Sequence, residues 1–78
     1  MDDILLVIQN AKRSGSKHLD LSNRGLSNVP LGITKIQLLE SINLSGNQLT
    51  NLKNVEQLQN LKKIDASRNQ ISALTREI

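Results

Sequence analysis

Apolar positions along the chain repeat at a fixed period. Leu39, Ile42, Leu44 and Leu49 recur 22 residues later as Leu61, Ile64, Ala66 and Ile71, while Leu19, Leu21 and Leu26 precede Ile42, Leu44 and Leu49 by 23. Three registers of one period this long predict a solenoid, whose coils are too small to bury an apolar face alone and so rely on their neighbours. Two local spacings alternate within each repeat. Around Leu19, Ile42 and Ile64 the step is two residues, the period of a strand. Ile33 and Ile36, like Val55 and Leu58, stand six and three residues before Leu39 and Leu61, which suits a short helix or 3₁₀ turn with its apolar edge inward.

The strand period assigns faces. In a first strand over 17–22, Leu19 and Leu21 point one way and His18, Asp20 and Ser22 the other, and the later repeats copy this alternation. Stacked in parallel, one per coil, the strands set their outward residues in columns: His18, Ser41, Lys63; Asp20, Asn43, Asp65; Ser22, Ser45, Ser67; and Asn23, Gly46, Arg68. After each strand the chain must turn out of the sheet, leaving backbone groups that need buried partners. Asn47 and Asn69 stand at that turn, and an amide side chain both donates and accepts. The first repeat has Arg24 there instead, so its side chain is expected to turn to solvent near the cap.

Ahead of the repeats, residues 2–14 read as a helix. Ile4, Leu5, Val7, Ile8 and Ala11 make one broad apolar face, Asp2 and Asp3 suit the positive end of the helix dipole, and Lys12 and Arg13 suit the negative end. Gly15 is placed to end it in the left-handed conformation. The predicted role is a cap over the first coil, with Ile4, Val7 and Ile8 inward.

The spacing L-x-x-L-x-L-x-x-N-x-L over Leu39 to Ile71 resembles the leucine-rich repeat, a resemblance that runs from Leu19 to the last residue. It implies an α/β solenoid with a short parallel sheet of about three strands on the concave side and an N-terminal helical cap. The expected organisation is one domain over 1–78: cap 1–15, first repeat 16–38, second repeat 39–60 and an incomplete third repeat 61–78. The arm beginning Val29-Pro30 resembles the 23-residue intracellular class, and the arm from Leu52 resembles the 22-residue repeats of phosphatase-regulatory proteins. Pro30, which lacks a backbone donor and has a fixed φ, suits the start of its arm. Leu19 to Pro30 after a short helix is similar to the opening of Ras-group repeat proteins and of repeat-bearing signalling kinases and GTPases. The third arm stops at Ile78 before its pattern is complete, so an N-terminal piece of a longer protein is expected.

In this family the concave face is the usual binding surface, and stacked asparagines form a ladder. The resemblance therefore implies a protein partner at His18, Asp20, Ser22, Ser41, Asn43, Ser45, Lys63, Asp65, Ser67 and Arg68, with Asn47 and Asn69 structural. The expected function is a protein-binding scaffold in intracellular signalling, and the alternative is the repeat region of a larger signalling enzyme.

Composition narrows the chemistry. There is no cysteine and a single histidine, so neither disulfides nor a His/Cys metal cluster is available, and no metal or cofactor is expected. His18, Asp20 and Ser22 alternate on one strand, but an open, solvent-facing strand supplies neither an oxyanion hole nor a dry pocket. No catalytic residue or small-molecule substrate is assigned. The net charge of +3 is spread along the length and no aromatic residue is present, which argues against nucleic acid. No stretch approaches the roughly 20 apolar residues of a membrane span. Met1-Asp2-Asp3 before the apolar run is the reverse of a secretory signal, so the expected location is cytoplasmic.

Overall fold

The computed structural model describes residues 4–71. The first element is a helix, α1 (Ile4–Ser14), whose last turn carries Lys12 and Arg13. Gly15, at φ +67°, ends it as expected: its N–H donates to Lys12 O at 3.2 Å, and that of Ser16 reaches back to Ala11 O at 3.0 Å. These two bonds satisfy carbonyls that the helix end leaves open. Ile8 and Ala11 are buried and Ile4 and Val7 half-buried against the first coil, as the three-and-four spacing of these residues requires. Leu5 and Leu6 stay exposed. The predicted contribution of Asp2 and Asp3 lies outside the described residues.

Three short parallel strands follow, β1 (His18–Asp20), β2 (Ser41–Asn43) and β3 (Lys63–Asp65), in the order β1-β2-β3. Their register aligns His18, Ser41 and Lys63; Leu19, Ile42 and Ile64; and Asp20, Asn43 and Asp65. Between strands the returning arms form 3₁₀ turns at Leu31–Lys35 and Val55–Gln57. Pro30 precedes the first of these at φ −61°, and its carbonyl accepts from Ile33 N–H at 3.3 Å. Ile33 and Val55 are buried, so the arms turn their apolar edge inward. At Gly32 the helix lies so close that a Cβ would stand 3.3 Å from Ile8 Cγ2. The core is a stack of aliphatic layers. Leu21, Ile33, Leu39, Leu44 and Leu49 are fully buried, each stabilising by about 1.5–3 kcal/mol relative to exposure. In the third coil Leu61, Ile64, Ala66 and Ile71 are only half-buried. The third arm predicted from Leu74 onward lies outside the described residues. No helix among them is long and apolar enough to cross a membrane.

The strands are shorter than the predicted 17–22. Each stops where a side chain takes over the backbone bond: Asp20 Oδ1 accepts the Ser22 N–H at 2.9 Å, and Asn23 then adopts φ +55°. Gly46 and Arg68 occupy the same left-handed turn at φ +70° and +56°, so that column belongs to the exit from the sheet. Pairing between coils continues beyond the strands, with Leu21 N–H to Asn43 O at 2.8 Å and Asn23 N–H to Ser45 O at 2.9 Å.

The turn itself is held by asparagine. Asn47 Oδ1 accepts the N–H groups of Arg24 and Leu26, both at 3.0 Å, and its Nδ2 donates to Leu21 O and Leu44 O at 2.9 Å and Ser45 O at 3.3 Å. Asn69 repeats this one coil on, accepting from Leu49 N–H at 3.0 Å and donating to Leu44 O at 2.8 Å. Arg24 differs from expectation: it is half-buried, because Asn47 holds its backbone in the inward-turning loop. An Asn47→Leu substitution leaves these buried groups unpaired and is predicted to cost roughly 3 kcal/mol. A urea melt tests this, with Asn69→Leu expected to cost less because Asn69 is half-buried.

Candidate functional site: the concave face

The sheet's outer face is a shallow concavity of ≈ 350 Å³, lined by residues from all three strands, among them His18, Asp20, Ser41, Asn43, Lys63 and Asp65. Their positions follow from the two-residue period and the parallel register, which set equivalent residues side by side on adjacent strands. His18 Nδ1 and Ser41 Oγ share a hydrogen bond of 2.6 Å between the first two coils. Lys63 completes that column and is exposed.

The second column is more tightly organised than its position alone suggests. Asp20, Asn43 and Asp65 each turn one oxygen onto the serine two residues ahead, accepting both its backbone N–H and its hydroxyl. The hydroxyl bonds are 2.6 Å from Ser22, 2.6 Å from Ser45 and 2.7 Å from Ser67, and the backbone bonds are 2.9, 3.0 and 3.1 Å. This is the local turn that Asp and Asn favour, and here it ends every strand. It was legible as Asp20-Leu21-Ser22, Asn43-Leu44-Ser45 and Asp65-Ala66-Ser67, the same pattern at equivalent places.

Within the serine column, exposure differs from coil to coil. Ser45, expected to face a partner, is buried at 4% exposure and its hydroxyl is committed to Asn43. Ser22 is half-buried and Ser67 exposed, with hydroxyls committed in the same way. Arg68 is exposed, but on the left-handed turn beside the strand. His18, Asp20 and Ser22 do not assemble as a nucleophile relay either. Asp20 bonds Ser22, and His18 bonds the hydroxyl of Ser41 on the next strand. Among the described residues no group of three His, Cys, Asp or Glu converges as a metal site.

Two further asparagines with inter-coil roles lay outside the sequence prediction. Asn54 Nδ2 donates to Val29 O at 3.0 Å and Asn60 Nδ2 to Gln37 O at 2.7 Å, tying the second arm to the first. Asn54 does this from φ +85°, a region asparagine tolerates. Neither residue belongs to the repeating apolar pattern, and their partners follow from how the two arms stack.

Both carboxyl groups of the column have pKa values below the ordinary 3.8, chiefly because the serine hydroxyl and then the serine N–H favour the ionised oxygen. A folded value below the unfolded one contributes stability that is complete above the unfolded pKa and lost as pH falls through the folded one. Asn43 makes the same turn without a titrating group. The double substitution Asp20→Asn with Asp65→Asn is therefore predicted to keep the fold at neutral pH and to flatten the fall in urea midpoint below about pH 4. An unchanged acid limb contradicts the assignment.

A family model described as Leucine Rich Repeat matches residues 38–58, a span that holds β2 and the second arm. Among solved structures, a leucine-rich repeat protein of Leptospira interrogans superimposes with a TM-score of 0.53 at 26% identity, over 99% of this chain and 25% of that one. The chain thus spans a quarter of that protein's length. No curated protein matches. The helix, the three-stranded parallel sheet, the repeat match and the structural likeness together give this chain the α/β fold of a leucine-rich repeat solenoid.

Proposed function

We propose that this chain is a non-enzymatic protein-binding module that engages its partner on the concave sheet face, in intracellular signalling. Leucine-rich repeat domains generally mediate protein–protein interaction. The observation that carries the choice of face is the concavity itself, where the polar side chains of three strands lie in register. Each carboxylate or amide of its central column is pinned by two hydrogen bonds before any partner arrives. A pinned side chain loses little rotamer freedom on docking, which lowers the entropic cost of association. Asp20 and Asp65 keep negative charge at one strand end, and His18 and Lys63 lie at the other. That arrangement suits a polar partner segment with paired charges. The similarity of Leu19 to Pro30 to the opening of Ras-group repeat proteins supports the signalling context.

The test is affinity capture with single charge reversals on either side of the solenoid. Asp20→Lys and Asp65→Lys are expected to weaken partner capture by about tenfold, the effect of one well-placed contact. Lys35→Glu and Lys53→Glu, both on exposed parts of the arms, are expected to leave it unchanged. Loss with the arm reversals alone moves the site to the convex side.

A further inference from the structure

The exposed large apolar side chains gather on the helix and the first arm. Among the described residues they are Leu5 and Leu6 of α1 and Leu31 and Leu38 of the arm, between 51% and 66% exposed. The repeat itself does not require the arm leucines. Counted back from Leu39 and Leu61, Leu31 is matched in the second arm by Lys53, and Leu38 by Asn60. All four of these residues are exposed, so at the same outward places one arm is apolar and the next polar.

Two close approaches lay the helix alongside that arm. A Cβ on Gly32 would meet Ile8 Cγ2 at 3.3 Å, and one on Gly15 would meet Leu38 Cδ1 at 3.7 Å, so residues 8–15 run beside residues 32–38. Leu5 and Lys12 stand three before and four after Ile8 and therefore share its side of the helix. The strip where helix and arm meet carries Leu5 and Leu31 around the first approach, and Lys12, Lys35 and Leu38 around the second. All five are exposed.

Charge along this strip has one sign. From Ile4 to Leu38 the cations are Lys12, Arg13, Lys17, Arg24 and Lys35, and the one acid, Asp20, lines the concave face instead. The second arm, by contrast, sets Glu56 close to Lys53. Projecting leucines interspersed with lysines suit the boundary of an anionic bilayer. Such a boundary accepts apolar side chains without a matched pocket and presents phosphate and carboxylate groups to cations. We propose that α1 and the first arm together form a peripheral lipid-binding surface, which seats the solenoid on an anionic membrane. Leu5, Leu31 and Leu38 enter the acyl boundary, and Lys12 and Lys35 stay at headgroup level. The sheet lies across the coil from the arm, so its concave face remains open.

The chain has no aromatic residue, so one introduced tryptophan reports its own surroundings. Leu31→Trp is expected to shift its emission to the blue on adding vesicles of phosphatidylcholine with about 30% phosphatidylserine. Lys53→Trp, at the matching place on the second arm, is expected to stay unchanged. Co-sedimentation with the same vesicles reads affinity. Leu31→Gln with Leu38→Asn, and separately Lys12→Gln with Lys35→Gln, are each expected to weaken binding by about tenfold or more. Circular dichroism melts check that both double variants fold, as exposed positions allow. Asp2→Asn with Asp3→Asn, which removes the acids preceding Leu5 in sequence, is expected to strengthen binding. The proposal is overturned if the wild type fails to sediment with anionic vesicles, or sediments equally with phosphatidylcholine alone. It is equally overturned by folded double variants that bind as the wild type does, or by the same blue shift at both tryptophans. Binding to polyglutamate but not to vesicles assigns the strip to an acidic protein instead.

Discussion

Each coil of this chain must turn sharply out of its strand, and that turn leaves backbone groups inside the molecule with no partner in the coil itself. Buried amides and carbonyls without partners cost about as much as lost hydrogen bonds. Asn47 answers the problem for the first turn and Asn69 for the second, each accepting from N–H groups of the preceding coil and donating to carbonyls of both coils. The side chain that closes one coil therefore belongs to the next. A coil cannot be complete alone, and burial of Leu44 and Leu49 depends on the same stacking. The aliphatic core contributes stability without strong register, since Leu, Ile and Val layers are interchangeable, whereas the amide bonds admit a single register.

The concave face inherits its geometry from this stacking. Because the turns are fixed, the strands stay in register over their three residues, and Asp20, Asn43 and Asp65 fall in one column. The serine two residues on locks each of them, so the feature that ends the strand also orients a side chain of the concave face. Order in the scaffold becomes order on the surface without further residues.

Much of the architecture was legible because the period is long and the spacing within it strict. Leu39, Ile42, Leu44, Asn47 and Leu49 carry enough pattern to predict strand, turn and core, and Gly15 and Pro30 mark element ends by their backbone conformation. The concave surface was legible only in outline. Alternation placed Ser22, Ser45 and Ser67 outward, but a strand period holds only while the chain stays extended, and Asp20 and its equivalents end the strand before the serine. All three serines make this turn, and Ser45 alone is buried because its coil is covered by a neighbour on both sides. Arg24 was expected in solvent on the chemistry of its side chain, yet its backbone lies in a loop held by Asn47, which carries the residue partly inside. Asn54 and Asn60 bond carbonyls 25 and 23 residues away, a pairing that depends on how arms stack and leaves no trace in local pattern.

Native-state hydrogen exchange tests the dependence of each coil on its neighbour's asparagine most directly. Among the described residues, the Leu26 and Leu49 amides donate to the side chains of Asn47 and Asn69, outside any strand pairing. If those amides hold the fold together, they exchange only through global unfolding, with the same protection as the inter-coil amides of Leu21 and Leu44. Exchange of Leu26 and Leu49 at the rate of exposed loop amides, while Leu21 and Leu44 remain protected, contradicts the account.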